Sequence, residues 1–227
     1  MLLKGLNKLT LLDFPDKIAC IVFTGGCDFR CPFCQNAALV TDFDDGMVDE
    51  EEFFAFLKAR KNRLDGVVLT GGEPLLQPDV VPFIYRIREE GYSVKLDTNG
   101  YHPDKLKTLL DAGALDYVAM DVKNSPEKYA ETAGIKELDF SRILRSKDMI
   151  MSLAPDYEFR TTVVKEFHTA SDFYGIGSVV KGAGKHYLQR FRDEGGNIAG
   201  GLTPPSEQEL NEYASILSDF VESVQIR

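Results

Sequence analysis

The strongest constraint on this chain is an alternation. Short apolar runs rich in β-branched residues and amphipathic stretches of helical period follow one another along most of its length. The runs at 18–24, 67–74, 93–97, 117–121, 157–164 and 185–190 read as strands, the second of them ending in a glycine turn. The stretches 49–63, 78–91, 103–112, 127–133, 140–153, 170–180 and 206–224 read as helices. Asp139 stands where a helix cap belongs, and Ser206 followed by Glu207 and Glu209 gives the last helix a good start. Repeated units of this kind demand a mostly parallel sheet covered by helices. Right-handed crossovers then leave an open sheet or a curled barrel. Eight units close a full barrel, so the six read here predict an α/β fold of the partial (β/α)6 barrel type with an open side. We expect a single domain over 1–227, with an N-terminal extension at 1–17 and a C-terminal helix at about 206–224.

A chain of 227 residues, 44% of them hydrophobic, can bury one sizeable core without disulfide staples. The formal net charge of -10 argues against a general nucleic-acid binder, which needs a basic footprint. No apolar run approaches the length of a membrane span. The opening apolar stretch is broken by Asp13, Pro15 and Asp16 and does not read as a signal peptide. The expectation is a cytoplasmic protein with neither nucleic acid nor membrane as partner. Asp13, Asp16, Asp42, Asp44 and Asp45 read as solvated loop charges.

Chemistry enters with one cassette, CDFRCPFC, which places Cys27, Cys31 and Cys34 at C-x3-C-x2-C spacing directly after Gly25 and Gly26. Three soft ligands this close can hold three irons of a cubane 4Fe–4S cluster, leaving one iron without a cysteine and open to a small molecule. The glycines permit the turn and a close backbone approach. Phe29 and Phe33 are placed to shield a cluster from water. Zinc, a disulfide or chance are the alternatives; zinc usually takes four ligands, and the cassette offers three. Cys20, within an apolar strand, reads as a small buried hydrophobe.

Ligands in folds of this class bind at the carboxyl ends of the strands. The polar features fall there repeatedly: the cassette, then Gly71-Gly72-Glu73-Pro74, then Asp97-Thr98-Asn99-Gly100, then Asp121-Val122-Lys123. Glu73 is placed to receive an ammonium group, or alternatively to start a helix at its positive end. Lys123 lies two residues beyond Asp121 and points to the same side of an extended backbone, as a ligand-binding pair or a local ion pair. Arg160 alternates with Phe159 and Thr161; facing inward it would need a ligand or a carboxylate, and facing outward it would need neither. His102, His168 and His186 show no metal-ligand spacing.

Taken together, GGCDFRCPFCQN, TGGEP, LDTNG and MDVK resemble the radical S-adenosylmethionine superfamily over nearly the whole chain. Within it the resemblance is to activating enzymes of glycyl radical enzymes, most of all to anaerobic ribonucleoside-triphosphate reductase activating proteins. The resemblance implies that Cys27, Cys31 and Cys34 ligate one 4Fe–4S cluster and that S-adenosyl-L-methionine chelates the open iron. It implies that Gly71, Gly72 and Glu73 line the methionine amine site and that Asp97 is a further amine contact. Asp121 resembles a ribose contact, Lys123 a carboxylate contact, Arg160 a further cofactor residue and Phe33 a neighbour of the adenine. The implied reaction is reductive cleavage of the cofactor to a 5'-deoxyadenosyl radical that generates a glycyl radical on a partner enzyme. A flavodoxin- or ferredoxin-like protein would donate the electron. A radical enzyme acting on a small metabolite and a non-catalytic iron–sulfur electron-transfer module are the rival expectations.

Overall fold

The computed structural model describes residues 1–41, 48–193 and 195–227, so Asp42, Asp44 and Asp45 lie outside the described residues. The strands are β1 (Leu3–Thr10), β2 (Ala19–Thr24), β3 (Gly66–Gly71), β4 (Ser93–Thr98), β5 (Tyr117–Asp121), β6 (Tyr157–Val163), β7 (Lys185–Arg190) and β8 (Ser223–Ile226). The helices are α1 (Ala37–Thr41), α2 (Glu50–Ala59), α3 (Val80–Glu89), α4 (Pro103–Asp111), α5 (Tyr129–Ala133), α6 (Phe140–Leu153), α7 (Ala170–Val179) and α8 (Glu207–Leu217), with one 3-10 turn at Pro74–Leu76. The strands pair in chain order, β1 antiparallel to β2 and every later neighbour parallel. The result is an α/β partial barrel that begins at β1 and ends at β8.

Strand parity divides the sheet into two environments. Cys20, Val22, Val67, Leu69, Val94, Leu96, Val118, Met120 and Phe159 belong to the large core shared with the helices. The opposite face is apolar only near the amino ends of its strands, where Phe14, Ala19, Ile21, Val68, Tyr117 and Ala119 form a second small cluster. Phe14 lies edge-on to Tyr117 at 6.3 Å and closes that end. Further along, the same face carries Lys95, Asp97, Asp121 and Arg160, so the interior changes from apolar floor to charged wall.

The six parallel strands β2 to β7 match the alternation in the sequence. Two elements do not. Residues 1–17 contain β1, an edge strand whose exposed middle conceals any period-2 pattern. Residues 206–224 divide into α8 and β8, because after Leu217 the chain turns and supplies hydrogen bonds to the open edge of β7. Gly175 and Gly177 do not interrupt α7; Ser125 and the Phe220 ring pack where their side chains would be. Asp139 and Ser206 cap their helices as expected, Ser206 in a full capping box with Glu209.

The turn after β3 is pressed against the cassette. Gly71 has φ +117, and a Cβ on Gly72 would overlap the Gly26 carbonyl. The contact is needed because Gly72 N–H donates to Thr24 O (2.9 Å) and Glu73 N–H to Gly26 O (2.8 Å). Gly72→Ala should therefore cost about 2–3 kcal/mol of stability through forced overpacking. Gly113→Ala, at φ +60 but facing open space, should cost only about 1 kcal/mol of backbone strain. Urea midpoints of the two variants check this; equal losses would contradict the close-approach argument.

Candidate active site

A cavity of about 380 Å³ lies over the carboxyl ends of β2 to β7. Cys27, Cys31, Cys34, Phe33, Gly71, Gly72, Asp97, Asp121, Lys123 and Arg160 all line it. Among the residues singled out from the sequence, Glu73 alone does not. Its side chain is fully buried, accepting from Leu75 N–H (3.0 Å), Thr98 O–H (2.8 Å) and Asn99 N–H (2.6 Å). Glu73 thus ties the turn after β3 to the turn after β4. Burial pushes its carboxyl up to about 7, against the pull of the Asn99 amide. The Lys105 ammonium braces the same turn from the other side, donating to Leu75 O (2.8 Å) and Gln77 O (2.6 Å).

Charge on the inner face is organised as a ladder across three strands. Lys95 pairs with Asp97, and Asp97 also accepts from Arg160 Nη1 at 3.2 Å. Arg160 Nε donates to Asp121 Oδ1 at 2.9 Å, and Lys123 Nζ sits 2.9 Å from Asp121 Oδ2. Arg160 therefore faces inward with carboxylate partners from the protein itself. Burial alone would raise both acids, yet Arg160 and the neighbouring lysines hold Asp97 and Asp121 below the ordinary carboxylate range. Burial likewise opposes the charge on Lys123, and Asp121 reverses it, keeping the ammonium firmly protonated.

The cassette is fixed by its backbone. Arg30 donates from Nη1 to the Cys27 and Phe29 carbonyls, and Arg30 N–H donates to Ala133 O at 2.8 Å. Gly134, with φ +68, lets that strap lie flat on Arg30. Burial pushes the Cys27 thiol up, and Cys31 up to about 11, so both stay protonated unless a metal takes the place of the proton. Phe33 packs on Phe167 at 5.9 Å and Phe29 on Tyr101 at 5.4 Å.

The three thiols line one cavity. Among the described residues no group of three His, Cys, Asp or Glu side chains converges closely enough to hold one metal ion. The donors that the cavity offers a metal centre are the three soft sulfurs, with Asp97, Asp121, Lys123 and Arg160 in the same lining.

Thr98 and Asn99, named in the sequence as part of a polar turn but given no role, line the cavity, and so do Thr70, Thr162 and Gln189, which were not singled out. Thr162 has the parity of Arg160 and pairs in register with Gln189, so strand parity was a usable signal for both. Asp13 and Asp16 are exposed loop charges, as expected; Asp13 also accepts a hydrogen bond from the Thr10 hydroxyl and borders this cavity and a second one of about 360 Å³. The second cavity is lined by Leu12, Pro15, Lys95, Glu158 and Arg227 and shares Asp13, Arg160 and Gln189 with the first. His186 points into the opposite face, its Nε2 3.0 Å from Thr161 Oγ1 and its Nδ1 without a partner.

Fold and cavity together define a partial α/β barrel with a cysteine-walled, charge-lined site at the carboxyl edge of its sheet. The chain belongs to the radical SAM superfamily, whose family model matches residues 21–166. It is homologous to activating enzymes of glycyl radical enzymes. A Methanocaldococcus jannaschii protein provisionally named a glycyl-radical enzyme activating enzyme is 34% identical over 100% of this chain and 95% of its own. The GTP 3',8-cyclase of Nautilia profundicola is 29% identical over 63% of this chain, but only 46% of its own length. Among solved structures, a domain of pyruvate-formate lyase-activating enzyme from Bacteroides vulgatus has a TM-score of 0.54, with 18% identity over 71% of this chain and 98% of that one. Streptococcus suis SuiB bound to S-adenosylmethionine gives a TM-score of 0.67, with 13% identity over 89% of this chain and 48% of that one. At these identities the structural likeness carries the fold alone.

The ladder makes a measurable demand. Arg160→Met should cost about 3 kcal/mol at pH 7, because Asp97 and Asp121 remain buried without their shared cation. Both acids have depressed folded-state pKa values, so their contribution is present above about pH 4 and is lost as pH falls below it. The penalty of the variant should shrink over the same acid range. Urea unfolding of both proteins from pH 7 downward checks this; a penalty independent of pH would contradict the ladder.

Proposed function

We propose that this chain is a radical S-adenosylmethionine enzyme that generates a glycyl radical on a partner enzyme, with anaerobic ribonucleoside-triphosphate reductase as the first candidate partner. The observation that carries the reading is the end-to-end relationship to an activating enzyme, over 95% of that protein's length. The cyclase is matched over less than half of its length.

Cys27, Cys31 and Cys34 would hold one 4Fe–4S cluster, and Asp97, Asp121, Lys123 and Arg160 would bind and orient the S-adenosylmethionine beside it. Bound together, these groups supply a one-electron cleavage that yields a 5'-deoxyadenosyl radical. The protein's share is geometric and electrostatic. The ladder presents a fixed ammonium, a guanidinium and two ionised carboxylates to a zwitterionic ligand at no cost of reorganisation. Gly71 and Gly72 bring the backbone to the cavity, while Phe29 and Phe33 exclude water. Glu73 acts indirectly, by locking the two turns that form the floor.

A macromolecular substrate agrees with the exposed apolar residues around the β1–β2 connection. Leu9, Leu11, Leu12 and Ile18 are exposed, Leu12 by 90%, within ten residues of one another. Leu12 also lines the second cavity, which shares Asp13, Arg160 and Gln189 with the first. Apolar surface gathered beside an open cavity is the mark of an interaction site. The electron donor would be a flavodoxin- or ferredoxin-like protein, and the setting cytoplasmic; among the described residues no helix is long and apolar enough to cross a membrane. A second reading, a radical enzyme acting on a purine-like metabolite, draws on the partial similarity to the GTP 3',8-cyclase.

Anaerobic reconstitution, followed by S-adenosylmethionine, reductant and a candidate glycyl radical enzyme, separates the two. The expected result is 5'-deoxyadenosine together with a glycyl radical doublet in the EPR spectrum of the partner. Both signals should vanish in Cys31→Ala. Consumption of GTP or a related purine with no radical on any partner would overturn the proposal in favour of the second reading.

A further inference from the structure

Asn99, in the turn after β4, is held from every side. Its backbone N–H donates to Glu73 Oε2 (2.6 Å), and its Oδ1 accepts from Tyr101 N–H (2.8 Å). Those two bonds fix which way the side-chain amide faces, because Oδ1 is committed to a donor. Its Nδ2 donates to Asp28 Oδ1 (2.9 Å) and lies 3.8 Å from Cys27 Sγ. Asp28 is held in turn by His102, whose Nε2 stands 2.9 Å from Asp28 Oδ2, off the line of a well-formed hydrogen bond. Asn99 itself is buried, at 7% exposure.

The three cassette sulfurs consequently differ. Cys27 Sγ receives Phe29 N–H at 3.3 Å and faces the Asn99 amide at 3.8 Å as well as the Asp28 carboxylate at 3.9 Å. Cys31 Sγ faces an acceptor, the Ala133 carbonyl, at 3.8 Å. Hydrogen bonds to cysteine sulfur stabilise the more negatively charged, reduced form of an iron–sulfur cluster and raise its potential.

We propose that Asn99 is a positioning residue for Cys27, aiming its sulfur into the cavity and donating to it, so that the Cys27 corner of the bound cluster is the hydrogen-bonded one. This rests on the reading that the three cysteines hold a cluster. Asp28 and His102 brace the amide, and the Asp28 carboxylate itself lies 3.9 Å from Cys27 Sγ, so among the described residues only Asn99 offers the sulfur a side-chain donor.

The test is a potentiometric titration of the reconstituted cluster, with iron and sulfide content measured on each sample. Wild type, Asn99→Ala and Asn99→Gln are compared. Asn99→Ala should keep its iron but show a lower midpoint potential and an altered EPR line shape in the reduced state. Asn99→Gln retains an N–H donor on a longer arm and should return part of the difference. A potential in Asn99→Ala equal to wild type, with full iron, would overturn the proposal. Loss of iron in both variants alike would also overturn it, by making Asn99 a residue of loop folding only. A wild-type protein that holds no cluster would remove the reading beneath it, an outcome distinct from both.

Discussion

Everything at this site depends on keeping charge inside a half-open barrel. Lys95, Asp97, Arg160, Asp121 and Lys123 stand on three neighbouring strands, on the face that elsewhere is apolar. None of them is tolerable there alone, since an isolated buried ion costs several kcal/mol. They are tolerable together because opposite signs meet: register sets Asp121 next to Arg160 on β6, and Arg160 also reaches Asp97 on β4, whose neighbour on β5 is only Ala119. The same ladder that makes the interior stable leaves charged groups lining the cavity, already fixed in position. A ligand with an ammonium, a carboxylate and hydroxyls then finds partners without reordering the wall.

The cassette and the ladder are brought into one cavity by a second, quite different device. The turns after β2, β3 and β4 are bonded to one another: Glu73 N–H to Gly26 O, the Glu73 carboxylate to Thr98 and Asn99, and Asn99 on to Asp28 and Cys27. A carboxylate drawn up to about 7 by burial is a costly component. It joins three loops that sequence separates by more than seventy residues, from Gly26 to Asn99. The glycines make this possible, since any side chain on Gly72 would push the loops apart.

Much of this was legible in the sequence, for reasons that can be stated. The parallel strands are buried on both faces and therefore appear as continuous apolar runs, which mark β2 to β7 plainly. Parity put Lys123 on the side of Asp121, and both line the cavity; it left Arg160 open between inward and outward, which its bonds to Asp97 and Asp121 decide. The edge strands were not legible. β1 exposes Asn7, Lys8 and Leu9 in succession, and Val221 and Val224 continue the apolar spacing of α8 closely enough to pass for helix. Glu73 starts the helical turn at Pro74–Leu76, one of the two alternatives the sequence left open, but its bonds to Thr98 and Asn99 lie on the next turn, where no local pattern reports them. Asn99 stood in a turn the sequence marked as polar, but its own role was not readable, since Thr-Asn-Gly is also an ordinary turn sequence.

The central claim is that three cysteines hold a cluster whose remaining iron is open to a ligand positioned by the ladder. A Mössbauer spectrum of the iron-labelled, reconstituted protein, with and without S-adenosylmethionine, tests it most directly. The account predicts that one iron of the cluster changes its parameters on addition while the others stay as they were. A spectrum unchanged by the ligand, or one showing mononuclear iron, would contradict it.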